Sequence, residues 1–156
     1  MTLEAAKAFQ TLAPNGETFN FVYISGEGAT TQPGMFSAIF ARVKGETELG
    51  LAEIRRQNPL FHAMSVRLGG VDASAHDAIK AYIPPKPLAA RAIELLFPVL
   101  RTLVPTIMTP TEPLGHFLTE LAMGKHKNEL VAGPGITKIE EFPILQNSAF
   151  RRMWGI

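Results

Sequence analysis

Apolar positions in this chain change period sharply between residues 19 and 57. Phe19-Asn-Phe-Val-Tyr-Ile-Ser25 is an apolar and aromatic run of strand length that stops in Ser25-Gly26, the pattern of a β-strand ending in a tight turn. A loop rich in Thr, Gln, Pro and Gly follows. Apolar residues then recur at helical spacing, Met35, Ile39 and Val43 on one row and Phe36 and Phe40 on the next, while Arg42, Lys44, Glu46 and Glu48 fall mostly on other faces. This predicts a helix from about Met35 to the Arg55–Pro59 region. A second buried strand is predicted at Leu60–Gly70, and the helical connection makes a parallel pair with the first strand the expected arrangement. Ligands in open α/β sheets gather at the carboxyl ends of such strands, which is where Ser25 falls.

Elsewhere the pattern is mainly helical. Thr2 is the expected cap of a helix over Leu3–Leu12, and Ala13-Pro-Asn-Gly16 ends it. Val71–Pro87 reads as a polar connector. Leu88–Val104 is the most apolar stretch, but Arg91, Glu94, Pro98 and Arg101 argue for a core or interface helix rather than a membrane span. Thr109-Pro-Thr-Glu-Pro opens a further helix that Gly124 ends, Val131–Ile136 reads as a turn, and Thr137–Phe150 reads as a short helical tail.

Composition narrows the function classes. In 156 residues, 46% hydrophobic and 19% charged, the chain has enough apolar surface for a single folded domain. The net charge of +1 and the lack of basic runs interleaved with aromatics exclude nucleic acid as the expected partner. The absence of cysteine excludes disulfides and thiolate catalysis. The first residues lack a basic segment followed by a long apolar one, so a cytoplasmic location is expected, with no membrane partner.

Ser25 at a strand end, followed by Phe40-x-x-x-Lys44 on the next helix, resembles the Ser and Tyr-x-x-x-Lys pattern of the short-chain dehydrogenases/reductases. Val22-Tyr-Ile-Ser-Gly-Glu-Gly28, Ala41-Arg-Val-Lys-Gly-Glu-Thr-Glu48 and Ser65-Val-Arg-Leu-Gly69 are similar to atypical, epimerase-like members, matching the carboxyl-terminal half of such a protein. The resemblance implies an α/β fold: a partial Rossmann-like parallel sheet with flanking helices, from which the amino-terminal nucleotide-binding half is absent. It also implies that Ser25 orients a substrate carbonyl, that Lys44 assists, and that Arg67 and the residues beyond it, Asp72 included, line a substrate pocket.

The sequence departs from that pattern at two points. Position 40 is Phe, which carries no proton to transfer, so tyrosine-assisted hydride transfer loses its acid. No G-x-G-x-x-G turn is present either, so NAD(P) would need a composite site shared with another chain. Tyr23 is on the same strand face as Ser25 and could replace the lost phenol, or could simply be a core residue. His76 between Asp72 and Asp77 is the best local acid/base cluster, and Glu27 is a further candidate base. None of the four histidines forms an H-x-x-x-H pair, so no metal site is expected.

The expectation is therefore a reductase-like protein with impaired or absent redox activity that binds a small organic molecule, using Ser25, Lys44, Tyr23 and His76 with Glu27, Phe40, Arg67 and Asp72 around it. A cofactor-independent isomerase, cyclase or lyase on the same scaffold, or a non-catalytic interaction protein, are the alternatives. Two parallel strands leave an uncovered edge, so a second copy or a partner chain is expected to cover it.

Overall fold

The computed structural model describes residues 1–13, 16–85 and 95–156. The expected turn at Ala13–Gly16 and the apolar run from Leu88 therefore lie partly outside the described residues. Four strands form the main sheet: β1 (Phe19–Gly26), β2 (Phe61–Leu68), β5 (Ile136–Ile139) and β6 (Phe142–Leu145), in the order β1-β2-β6-β5. The first three in that order are parallel, and β5 returns antiparallel on β6. A small second sheet pairs β3 (Gly70–Asp72) in parallel with β4 (Met108–Pro110). The helices are α1 (Thr2–Phe9), α2 (Ile39–Gln57), α3 (Phe97–Leu103), α4 (Thr111–Ala122) and α5 (Asn147–Trp154).

The alternation of side chains along β1 and β2 divides the core between two faces. On one face, Phe19, Phe21 and Tyr23 of β1 join Phe61 and Ala63 of β2 against Leu51, Ala52 and Ile54 of α2, with Ala6 of α1 behind them. On the other, Val22, Met64, Val66 and Leu68 pack against Leu114, Phe117 and Leu121 of α4 and Phe150 of α5. The protein is thus a mixed α/β molecule with a mostly parallel sheet between helices. Among the described residues, no helix is long and apolar enough to cross a membrane.

Strand β2 is the central one, and nearly all of its residues are buried; β1 is an edge strand in which Ser25 alone is buried. No strand among the described residues pairs with the outer side of β1.

Three sequence expectations change here. Helix α2 begins at Ile39 and is rotated so that the apolar rows face outward: Met35 is 88%, Phe36 97% and Ile39 81% exposed, with Phe40 and Val43 also exposed. Its buried side is instead Ala41, Gly45, Glu48, Leu51 and Ala52. Small residues suit that side because the 27–38 loop lies directly on it; a Cβ on Gly45 would stand 1.7 Å from the Thr30 carbonyl oxygen. Second, the expected helical tail is the β5–β6 hairpin followed by the shorter α5. Its turn, Glu140-Glu141, places Glu140 at φ 52°, a left-handed conformation in a residue that carries no turn signal. Pro143 is tolerated because the β2–β6 ladder includes only Ile144 and Leu145 on that strand. Third, α1 and α4 are preceded by Met1 and Pro110 at the cap positions, without side-chain caps from Thr2, Thr109 or Thr111.

Candidate functional site at the carboxyl end of the edge strand

Helix α2 packs beside the end of β1, and this brings Lys44 to Tyr23 and to the backbone on either side of Ser25. Lys44 Nζ donates to the Ile24 carbonyl at 3.3 Å and stands 5.7 Å above the centre of the Tyr23 ring. The lysine stem also passes Gly26, whose Cβ would lie 3.8 Å from Lys44 Cε. Phe40, one turn earlier, reaches over Gly28, with its ring tip 3.8 Å from where a Cβ there would be. Ser25 is only 5% exposed, yet its Oγ has no hydrogen-bond partner. Leaving a buried hydroxyl unsatisfied costs about 1–3 kcal/mol, so an orphan of this kind needs an explanation.

Tyr23 sits in this group as a packed phenol rather than an acidic one. Burial pushes its pKa up; a hydrogen bond with Thr47 pulls the other way, and the nearby Glu48 charge adds to the rise. A proton donor at neutral pH would need the opposite displacement.

The remaining expected residues have structural partners. Arg67 forms a bidentate pair with Glu48, Nε to Oε1 at 3.0 Å and Nη2 to Oε2 at 2.6 Å, and Ser65 Oγ donates to the same carboxylate at 2.8 Å. Glu48 is fully buried. Its ion-pair partner is thus Arg67 on β2. Glu27 accepts a hydrogen bond from the Asn147 backbone N–H at 3.0 Å, which places its carboxylate at the positive end of α5.

His76 hydrogen-bonds Thr111 rather than its neighbouring aspartates. Its Nδ1 lies 3.0 Å from Thr111 Oγ1, whereas Asp72 is gripped by Arg101 (Nε to Oδ2 2.5 Å, Nη2 to Oδ1 2.7 Å) and Asp77 pairs with Lys80. The Arg101 hydrogen bonds hold the Asp72 carboxyl below its ordinary pKa. A pocket of about 200 Å³ lies beside His76, lined also by Asp72, Thr111 and Glu112.

Sequence reasoning missed the network that joins the two sheets. Asn147, 1% exposed, donates from Nδ2 to the Thr106 and Met108 carbonyls at 2.8 and 3.4 Å and accepts from Thr109 Oγ1 at 2.8 Å. Thr109 Oγ1 in turn accepts from the Gly69 N–H at 3.0 Å. Gly69 passes so close to this segment that a Cβ would stand 2.1 Å from the Ile107 carbonyl oxygen. An isolated Asn after a strand gives no sequence signal for such a role.

Comparison with known proteins finds two relatives whose names refer to biosynthesis clusters. It is 46% identical over 158 residues to the botcinic acid biosynthesis cluster B protein 16 of Botryotinia fuckeliana (strain B05.10), covering 100% of this chain and 99% of that protein. The chain belongs to that protein's family. It is also 28% identical over 151 residues to the leucinostatins biosynthesis cluster protein T of Purpureocillium lilacinum, covering 85% of this chain and 55% of that longer protein. No protein-family model and no solved structure matches.

Proposed function

We propose that this chain is the substrate-side half of a reductase-like α/β scaffold, working in a biosynthetic pathway without a dinucleotide site of its own and holding a small carbonyl-bearing organic molecule at the end of β1. The observation that carries this reading is the buried, unpartnered hydroxyl of Ser25, next in the strand to the Ile24 carbonyl that Lys44 holds. A carbonyl oxygen entering there would accept from Ser25 Oγ, and the Lys44 ammonium would stabilise negative charge developing on it. Phe40 carries no proton and burial makes Tyr23 a weaker acid, so the tyrosine of the resembled pattern has no close substitute, which favours binding or cofactor-free chemistry over tyrosine-assisted hydride transfer. The biosynthesis-cluster names of both relatives and the greater length of the leucinostatin-cluster protein accord with a scaffold that exists in longer and shorter forms.

The same reading gives the open edge an occupant: a second copy of this chain. Met35, Phe36, Ile39, Phe40 and Val43 together expose on the order of 700 Å², taking about 150–250 Å² for a large side chain, and a standard interface buries about 800 Å² per partner. β1 is an edge strand of the sheet, and a strand edge can pair antiparallel with its own copy across a twofold axis.

Saturation-transfer NMR with a panel of small ketones and β-keto acids, together with NADPH and NADH, tests the site. At least one carbonyl compound is expected to bind, with binding lost in Ser25→Ala and Lys44→Ala, and neither dinucleotide is expected to bind saturably. A folded sample that binds no panel member, or binds it equally well in both variants, overturns the assignment.

A further inference from the structure

The opposite end of the sheet carries a second cluster of chemically suited residues. Asn20 and His62 stand side by side in register near the amino ends of β1 and β2. Arg55 arrives from the last turn of α2, Lys127 from the turn after α4, and Lys138 from β5. They line a pocket of about 230 Å³, joined through Arg55, His62 and Glu141 to a neighbouring one of about 320 Å³.

The charges in this pocket do not balance. Arg55 Nη1 donates to the Ala63 carbonyl at 2.7 Å and Lys127 Nζ to the Thr18 hydroxyl at 3.2 Å, both neutral acceptors. Of the three cations, Lys138 pairs with a carboxylate, at 2.9 Å from Glu141, whose side chain is largely exposed and whose single charge also acts on Arg55. Asn20 is oriented by its Nδ2 bond to the Ala122 carbonyl at 2.9 Å, which leaves Oδ1 buried in the wall with no donor. A concave site with surplus positive charge and a spare acceptor is complementary to an anionic group that also carries a hydrogen-bond donor.

We infer that this pocket is an anion-binding site that takes a small oxyanion, a carboxylate or a phosphate, between Arg55, Lys127 and Lys138, with a donor on the ligand reaching Asn20. The site is separate from the Ser25–Lys44 end and does not depend on the function proposed for it. His62 reports on it from within: burial lowers its pKa, and the charges of Arg55 and Lys127 lower it further, so a bound anion would reverse part of that displacement. The charged groups lining the two pockets that share this imidazole are Arg55, Arg56, Lys127, Lys138, Glu140 and Glu141.

The test is an NMR titration of the four histidine rings against pH in glycolate, a carboxylate with a hydroxyl donor, and in inorganic phosphate, each compared with chloride at matched ionic strength. A saturable rise in the His62 pKa, with His76, His116 and His126 unmoved, is the expected result, and the more effective anion identifies the group recognised. Lys127→Gln, a change at an exposed side chain, is expected to weaken saturation by about tenfold. A His62 titration that neither anion moves beyond chloride, or a rise unchanged in Lys127→Gln, overturns the inference.

Discussion

Replacing Glu48 by Ala is expected to destabilise the protein by about 3–5 kcal/mol, the range for breaking a buried ion pair by removing one partner. For a domain of this length that is a fall of about 6–20 °C in Tm. The cause is local. Glu48 is 0% exposed and holds Ser65 and both donors of Arg67, whose side chain is itself only 13% exposed. Without the carboxylate, a guanidinium is left in the wall between α2 and β2 with no counter-charge. Replacing both partners together, Glu48→Leu with Arg67→Met, is expected to recover most of the loss, because two apolar side chains can occupy the space without an unpaired charge. Thermal unfolding of the single and double variants checks this. A Glu48→Ala protein that melts within about 2 °C of the parent would show that the pair does not fasten α2 to the sheet.

Asn147→Ala is expected to cost about 2–4 kcal/mol, from leaving buried groups around it unsatisfied at about 1–3 kcal/mol each. The amide side chain ties α5 to the segment before β4 through the Thr106 carbonyl, and to β4 through the Met108 carbonyl and Thr109. Loss of the side chain should loosen the small sheet before the large one, since the β3–β4 pair is only three residues long. Hydrogen exchange would show this as faster exchange at Gly69 and Val71, with β2 still protected. A double-mutant cycle with Thr109→Val should be non-additive, because both residues belong to one network. Additive effects would mean that the 2.8 Å contact between them contributes little.

The parts of this molecule legible in the sequence were those in which local pattern and tertiary packing agree. The strand at Phe19–Gly26, its parallel partner and the placing of Tyr23 and Ser25 on one face followed from strand alternation, and the structure brings Lys44 to Tyr23 and to the Ile24 carbonyl between them. Helix α2 misled because its most apolar rows are not its buried ones. Its packing side was set by the close approach at Gly45 and by a charged residue, Glu48, whose partner is 19 positions away. The β5–β6 hairpin was illegible because its strands are four residues long and its Glu-Glu turn lacks the Asn-Gly or Asp-Gly signature. Arg67, Asp72 and Glu27 looked functional by type, yet their ion pair or hydrogen-bond partners, Glu48, Arg101 and Asn147, are distant in sequence and could not be paired by spacing alone.

The proposed function rests on an α/β half-scaffold whose edge strand and outward apolar stripe are completed by a second copy. Multi-angle light scattering on the purified chain tests that directly. The expected particle has twice the 17.0 kDa mass of one chain and falls to a single-chain mass in Phe36→Glu. A parent protein that persists at 17.0 kDa and still melts cooperatively would contradict the account, because the bare edge of β1 and the exposed stripe of α2 would then need no partner.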